Sequence, residues 1–383
     1  STPRVENSTR GVENGSRTDG CGAGFASLIF LCYDIRMLSV IRKRIDRELK
    51  KLTREMETQY GLLRICPPLY KAIENFVLRE GKRVRPILFV LGYLGYAGKT
   101  PYNLYRSAVS LELLHDFMLV HDDIIDKSDT RRGKPSLHRY LDRYLKAGST
   151  IKFSGTDLAI IAGDVMYALA LHAFLAVRED PLRKEASFRK LIEAALYTGS
   201  GEFLEIFYGI QPLEKVRKAD IDKIYDLKTA NYTFASPLTI GATLAGAPAA
   251  GIGKLFDYGI YLGRAFQIKD DIIGLFGDEK KTGKSNLTDL QEAKKTMLIW
   301  YAVHHGGSQT AKRINAVMNK PVLTRADLKT VRGLIRDSGA LDYARREIRR
   351  LIESAESLQA KLRMRPLYLR ALTRYVRGLL RTD

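Results

Sequence analysis

Cysteine is scarce in this chain, which has only Cys21, Cys32 and Cys66 among 383 residues. None of them forms a Cys-x-x-Cys pair, so the sequence excludes a disulfide-stapled scaffold and the usual zinc sites. Reduced thiols are typical of proteins in a reducing compartment. We therefore expect a cytoplasmic protein.

Long uncharged apolar runs are also missing. Residues 158–177 come nearest, with roughly the 20 residues that a membrane-spanning helix needs, but Asp164 and His172 interrupt the run. A helix that is apolar on all sides also suits the centre of a large soluble bundle. We favour the bundle and expect no stable membrane insertion.

A third feature that is lacking is the apolar–polar alternation of half-buried strands. Apolar residues instead recur at helical spacing, with breaks at Pro67-Pro68 and at 306–308. Pro237 lies within a long apolar stretch and is predicted to kink or end a helix. We predict an all-α fold with one catalytic domain over residues 37–383, because no linker divides that range.

Residues 1–36 differ from the rest of the chain. They are rich in Gly, Ser, Thr and Asn and show no periodicity, which predicts a disordered leader. The apolar run at 21–33 is similar to a signal-peptide core, but acids and bases are mixed before it. A clean amphipathic helix begins at Met37, and we expect the native domain to start there.

Positive charge is in excess, since 63 Lys and Arg residues outnumber 43 Asp and Glu residues and give a formal charge of +20. Such an excess indicates an anionic partner, namely nucleic acid, a membrane surface or a phosphorylated substrate. We find no nucleic-acid-binding motif and expect no nucleic-acid partner. The arginines at 345, 346, 349 and 350 are interpreted as a solvated helix face.

The stretch from His115 to Asp126 combines a helical apolar pattern with acidic residues. Asp122 and Asp126 are four residues apart and share a helix face, where bare carboxylates repel each other. Mg²⁺ would compensate, because it binds through one or two carboxylates plus substrate phosphates. The sequence Asp-Asp-Ile-Ile then recurs at 270–273, which predicts two carboxylate clusters facing one cavity.

These paired motifs resemble those of the trans-type isoprenyl diphosphate synthases, or polyprenyl synthetases, over roughly residues 37–380. The resemblance implies a helical bundle around a central cavity, a homodimer, and three Mg²⁺ ions held against an allylic diphosphate. Gly274 stands where the family has the last aspartate of the second motif, and Asp278 is our candidate to replace it. The metal ligands implied are Asp122, Asp123, Asp126, Asp270, Asp271 and Asp278.

Basic motifs extend the resemblance to isopentenyl diphosphate, the second substrate. Lys82 and Arg85 match the family's Gly-Gly-Lys-x-x-Arg-Pro motif, although Glu80 replaces its first glycine. His115 matches a family histidine that contacts the same substrate. In the tandem pair after the first acidic motif, Arg131 is expected at the allylic diphosphate and Arg132 at isopentenyl diphosphate.

Further matches concern the allylic diphosphate. Lys228 and Thr229 match a family Lys-Thr pair, and Lys284 resembles a family lysine at the diphosphate. Glu202 and Glu205 stand where the family commonly has Gln and Asp, which leaves their contacts open.

The reaction implied is ionisation of the allylic substrate followed by condensation with isopentenyl diphosphate. The catalytic residues expected are Asp122, Asp126, Arg131, Lys228 and Asp270. A class I terpene cyclase needs no second diphosphate site, so Lys82, Arg85 and Arg132 count against that alternative. A non-catalytic synthase subunit should have lost aspartates or cations, and both sets are present.

Product length is predicted from Phe117 and Met118, five and four residues before Asp122. At about 1.5 Å of rise per residue, Phe117 lies about 7 Å below the metals. An aromatic residue there resembles the archaeal-type geranylgeranyl diphosphate synthases, which implies a twenty-carbon product. Farnesyl diphosphate is the alternative.

Overall fold

The computed structural model describes residues 21–145, 152–279 and 286–381. For residues 21–33 and Asp289 it describes only the backbone. Lys284 and residues 1–20 lie outside the described residues, so the expectations for them stay predictions. The described chain is helical except for one short hairpin, which confirms the all-α fold. Its α-helices, labelled α1 to α17, are Cys21–Tyr60, Leu62–Ile65, Pro67–Val77, Val84–Leu94, Leu104–Ile125, Leu137–Asp142, Gly155–Phe174, Pro181–Gly209, Lys218–Ile224, Ser236–Leu244, Ala249–Phe276, Thr288–Gln291, Met297–His305, Gly307–Met318, Arg325–Asp337, Ala340–Gln359 and Pro366–Leu380.

Two shorter elements complete the description. A 3₁₀ turn, Leu213–Lys215, precedes α9, and a π-helix, Tyr225–Ala235, joins α9 to α10. The hairpin pairs β1 (Thr130–Arg131) with β2 (Lys134–Pro135) in antiparallel fashion. The hairpin and the π-helix carry cations that the sequence predicts to bind diphosphate, which is why both elements matter to the site.

The bundle packs through close helix–helix contacts. Helix α5 packs along α7, α4 along α10, and α11 along both the π-helix and α16. A Cβ at Gly263 of α11 would lie 2.3 Å from Ala230 Cα of the π-helix, so glycine allows these two backbones to meet. This contact fixes the π-helix against α11, the helix that contains the second acidic motif.

The start of the first helix differs from the prediction. Helix α1 begins at Cys21 rather than at Met37, so it includes residues assigned above to a disordered leader. No proline interrupts 21–37, and a helix that is already nucleated extends at little cost. Asp34, which is 1 % exposed, accepts a 2.9 Å hydrogen bond from Arg374 Nη1 of α17. The predicted helix start at Met37 is therefore corrected, because Asp34 is part of the packed structure, whereas the domain boundary at residue 36 stays a prediction.

Pro237 lies in the first turn of α10, directly after the π-helix. Its missing N–H is tolerated there because the first helical turn has no partner for it. The kink or helix end predicted at this proline corresponds in the structure to the change from the π-helix to α10.

Helix α7 is the apolar helix identified above. By length and composition it is long enough to cross a membrane, and it is the one such helix in the described part of the chain. It packs along α5 and α6. Residues of α7 thereby reach the wall of the cavity described next.

Candidate active site

A cavity of about 1310 Å³ lies between α5, α7, α8, the π-helix and α11. One end is polar and contains both acidic motifs, while the other end is apolar. Most of the residues singled out in the sequence line it, namely Lys82, Arg85, His115, Phe117, Met118, Asp122, Arg131, Arg132, Glu202, Lys228, Thr229, Asp270 and Asp271. The fold thus brings together side chains that are distant in sequence.

Three of the predicted metal ligands are not among the residues that line the cavity. Asp123 is fully buried, and Asp126 directly follows the last residue of α5, one turn after Asp122. Asp278 is exposed beyond the end of α11. Their roles as metal ligands stay predictions.

Arg131 is held at the first acidic motif by two aspartates. Its Nη2 lies 3.1 Å from Asp122 Oδ2, and its Nε donates a 2.7 Å hydrogen bond to Asp123 Oδ1. Burial lowers the pKa of Arg131, but its contacts with Asp123 outweigh this and raise it. Asp123 therefore orients the arginine, which leaves a permanent positive charge beside Asp122.

The first acidic motif has the donor set that Mg²⁺ prefers. Burial, followed by the nearby Asp122 carboxylate, raises the pKa of Asp126, and Lys294 Nζ lies 3.8 Å away. Within the described ranges, no three acidic, histidine or cysteine side chains already surround one point. Mg²⁺ commonly takes its remaining ligands from water and substrate phosphates. Asp122 and Asp270, which line the cavity, and Asp126, one turn after Asp122, are the residues that could hold such an ion.

Lys228, on the π-helix, lies among three carboxylates. Its Nζ is 2.7 Å from Glu202 Oε2 and 3.7 Å from Asp122 Oδ1, and it donates a hydrogen bond to Glu205 Oε2. Burial lowers the pKa of Lys228, but Glu205 and Asp122 outweigh it and raise the pKa. Burial raises the pKa of Glu202 to about 6. Lys228 is thus a fixed cation directly above the first acidic motif.

A second set of cations lies across the cavity. Arg85 Nη2 donates a 2.7 Å hydrogen bond to Thr233 Oγ1, and its guanidinium lies 4.4 Å from the centre of the Tyr232 ring. His115 is close to the same ring, with the two centroids 6.3 Å apart. Burial, followed by the Arg85 charge, holds the pKa of His115 well below its usual 6.5. His115 is therefore neutral near pH 7.

Next to these cations lies a buried ionic network that was not predicted from the sequence. Arg83 donates hydrogen bonds to Glu112 Oε1 at 2.6 Å and to Asp46 Oδ1 at 2.9 Å. Arg132 Nη2 lies 3.6 Å from both Glu112 Oε1 and Asp116 Oδ1. Glu112 and Asp116 are four residues apart on an apolar helix, which is the signal that could have revealed them.

Asp116 links this network to pH. Burial, then the Glu112 charge, raises the pKa of Asp116 to about 8. An unfolded aspartate releases its proton near pH 4, so from about pH 4 to pH 8 the folded protein holds a proton that the unfolded chain has lost. The contribution of Asp116 to stability therefore falls as pH rises through that window.

We predict that Asp116→Asn removes this dependence. Without Mg²⁺ or substrate, thermal melts followed by circular dichroism should coincide for the two proteins near pH 4. Near pH 8 the variant should melt several degrees higher, because its side chain cannot ionise. Parallel pH dependence in both proteins would show that Asp116 is not the group responsible.

Comparison with known proteins agrees with this fold. Residues 66–335 match the polyprenyl synthetase family. The chain therefore belongs to the polyprenyl synthetase family and is a trans-prenyltransferase.

Individual relatives are short-chain prenyl synthases. The chain is 34% identical to a geranylfarnesyl diphosphate synthase of Aeropyrum pernix over 75% of this chain and 86% of the relative. It is 29% identical to a geranylgeranyl diphosphate synthase of Sulfolobus acidocaldarius, over 73% and 79% of the two chains. Among solved structures, geranylgeranyl pyrophosphate synthase of Corynebacterium glutamicum, complexed with isoprenyl diphosphate and magnesium, superposes with a TM-score of 0.78 at 27% identity. That superposition covers 90% of this chain and 96% of the other.

Proposed function

We propose that the protein is a Mg²⁺-dependent synthase that condenses isopentenyl diphosphate with allylic diphosphates to make geranylgeranyl diphosphate. The observation that carries this proposal is the presence of two separate sets of cations in one cavity. Lys228 and Arg131 contact Asp122 of the first acidic motif. Arg85 instead contacts Thr233 and Tyr232, Arg132 lies 3.6 Å from Glu112 and Asp116, and Lys82 lines the same cavity. Two sets are what two diphosphate substrates require.

The allylic half of the reaction depends on stabilising a leaving diphosphate. Lys228 and Arg131 are fixed before substrate binds, because carboxylates hold both of them. Fixed charges need little reorganisation as negative charge develops on the departing oxygen. Bound Mg²⁺, held by Asp122, Asp126 and Asp270, would act as a Lewis acid on the same diphosphate. The allylic C–O bond then breaks with its electron pair on oxygen.

The other half of the reaction positions the nucleophile. Lys82, Arg85 and Arg132 bind the diphosphate of isopentenyl diphosphate, and neutral His115 can donate a further hydrogen bond. The substrate double bond attacks the allylic carbon and forms the new C–C bond. A proton is then lost from the adjacent carbon, with the released diphosphate as the base that we propose.

The apolar end of the cavity supports a growing prenyl chain. The Phe117 ring centre lies 5.2 Å from that of Tyr167 on α7 and 4.7 Å from that of His121. Gly163 of α7 adds no side chain, and a Cβ there would lie 2.8 Å from His121 Nε2. Three rings packed below Asp122 support the role of Phe117 as the floor and a twenty-carbon product.

Phe117→Ala should lengthen the product by one or more five-carbon units, because it removes the ring nearest the chain end. Met118→Ala should add to this change, and Phe117→Tyr, which keeps the ring, should leave product length unchanged. Chromatography of the dephosphorylated products measures the result. An unchanged product in Phe117→Ala would remove this residue from the floor.

We also propose a homodimer through exposed apolar side chains on α7 and at the C-terminal end of α8. Large apolar side chains are exposed there, with Ile161 at 57%, Phe203 at 70% and Ile210 at 77% exposed. Exposed apolar patches of this kind mark interaction sites. Light scattering should give twice the 43.2 kDa chain mass, and substitution of Phe203 by serine should shift it towards the monomer.

The proposed function as a whole is tested with labelled isopentenyl diphosphate, farnesyl diphosphate and Mg²⁺. We expect label to appear in a twenty-carbon product. A fifteen-carbon product from shorter primers, with none from farnesyl diphosphate, would identify the alternative farnesyl synthase. Failure of all allylic primers would overturn the proposal.

A further inference from the structure

Asp271, the second aspartate of the second acidic motif, is 5% exposed, whereas the adjacent Asp270 is exposed. Its Oδ2 accepts a hydrogen bond from the Tyr225 hydroxyl, and its Oδ1 accepts one of 2.8 Å from Gln267 Nε2. Both donors are neutral protein groups. The two carboxylate oxygens are thus engaged with the protein at a position that the motif would assign to metal.

These hydrogen bonds continue in both directions from Asp271. Gln267 Oε1 accepts a 2.6 Å hydrogen bond from Thr229 Oγ1 on the π-helix. On the other side, the Tyr225 oxygen accepts a 2.9 Å hydrogen bond from the backbone N–H of Met297, the first residue of α13. One carboxylate thereby connects α11, the π-helix and α13.

The direction of each hydrogen bond depends on the charge of Asp271. Tyr225 donates to the carboxylate and accepts from Met297, and the Gln267 amide is oriented because its NH₂ faces Asp271. In Asp271→Asn, the side-chain NH₂ group would face either the Tyr225 hydroxyl or the Gln267 NH₂ group, and both of these are hydrogen-bond donors. Tyr225 and Thr229 flank Lys228 in the same π-helix, so the network fixes the segment that carries this cation.

We propose that Asp271 is a positioning residue that holds Lys228 and Thr229 in place for the allylic diphosphate, and that it does not bind the metal. This inference rests on the proposed function, since it assigns Lys228 and Thr229 to that substrate. Asp270, which lines the cavity one residue earlier, is left as the metal-binding aspartate of the motif.

The test compares two isosteric variants, Asp271→Asn and Asp270→Asn. Isothermal titration calorimetry would measure the binding of inorganic pyrophosphate across a series of Mg²⁺ concentrations. In Asp271→Asn we expect the affinity for pyrophosphate at saturating Mg²⁺ to fall about tenfold. The Mg²⁺ concentration that gives half-saturation should stay within twofold of the wild-type value. In Asp270→Asn the half-saturating Mg²⁺ concentration should rise.

Tyr225→Phe supplies a second variant that removes only a hydroxyl. It should reproduce the Asp271→Asn result, and in kinetics both should raise KM for the allylic substrate more than KM for isopentenyl diphosphate. Gln267→Leu breaks the same network at a half-buried position and replaces either variant if that variant fails to fold.

Two outcomes overturn the inference. The first is an Asp271→Asn protein whose Mg²⁺ requirement rises as in Asp270→Asn. The second is a Tyr225→Phe protein that binds pyrophosphate like the wild type. Failure of the proposed function is a separate result, because the wild type would then make no condensation product whatever the pyrophosphate titrations show.

Discussion

Replacement of Asp126 by asparagine should lower turnover by about a thousandfold or more while the helical fold survives. Burial raises the pKa of Asp126, and the neighbouring Asp122 carboxylate raises it further. Keeping both carboxylates ionised without a cation therefore costs free energy. Loss of a carboxylate ligand removes several kcal/mol of transition-state charge stabilisation, which corresponds to this rate factor. Asp122→Asn should behave alike.

The control is Asp129→Asn, just beyond the motif. Asp129 is exposed and pairs with Arg139 at the surface, where an ion pair contributes little. Its turnover should match the wild type, and thermal melts should show that all three variants fold. Near-normal turnover of Asp126→Asn or Asp122→Asn in Mg²⁺ would refute the metal assignment at that residue.

Loss of the Lys228 charge should have the second large effect. In Lys228→Met the carboxylates of Glu202, Glu205 and Asp122 would face one another without their shared cation. The cavity would then repel an incoming diphosphate, and kcat/KM for the allylic substrate should fall by about a thousandfold. This corresponds to about 4 kcal/mol.

Stability and catalysis can be separated at this position. Removing one partner of a buried ion pair is itself destabilising, so Lys228→Met should melt at a lower temperature than the wild type. Adding Glu202→Gln and Glu205→Gln should restore the melting temperature without restoring activity, because these changes remove two of the three carboxylates that would repel one another. Lys223→Ala, on the exposed side of α9, should be unchanged in both measurements. Activity regained in the triple variant would show that Lys228 only neutralises its neighbours.

Local periodicity accounts for what the sequence could predict. Asp122 and Asp126 share a helix face by spacing alone, and the absence of strand patterns led correctly to the all-α fold. The distant cations Lys82, Arg85 and Lys228 were identified by resemblance to family motifs, and all three line the cavity. Spacing along one helix could not have related them to Asp122.

Other features depend on tertiary contacts. The Arg83–Glu112 ion pair joins the start of α4 to α5, and although the spacing of Glu112 and Asp116 is a local signal, it does not identify Arg83 as the partner. The start of α1 was placed too late because composition alone does not reveal the contact of Asp34 with Arg374. The π-helix at 225–235 needs the close packing of α11, which no local signal in those residues indicates.

Asp271 shows a limit of motif matching. Neighbouring residues on a helix point about 100° apart, so two adjacent aspartates cannot face one ion in the same way. The motif assigned Asp270 and Asp271 to metal together, whereas their burial and the hydrogen bonds of Asp271 to Tyr225 and Gln267 distinguish them.

The most direct test of the account is the release of inorganic pyrophosphate from farnesyl diphosphate and Mg²⁺, measured with and without isopentenyl diphosphate. Two diphosphate sites in one cavity predict that release requires isopentenyl diphosphate, occurs once per new C–C bond, and stops when EDTA removes the metal. Equally fast release from farnesyl diphosphate alone, with no label incorporated from isopentenyl diphosphate, would contradict the account and indicate a cyclase.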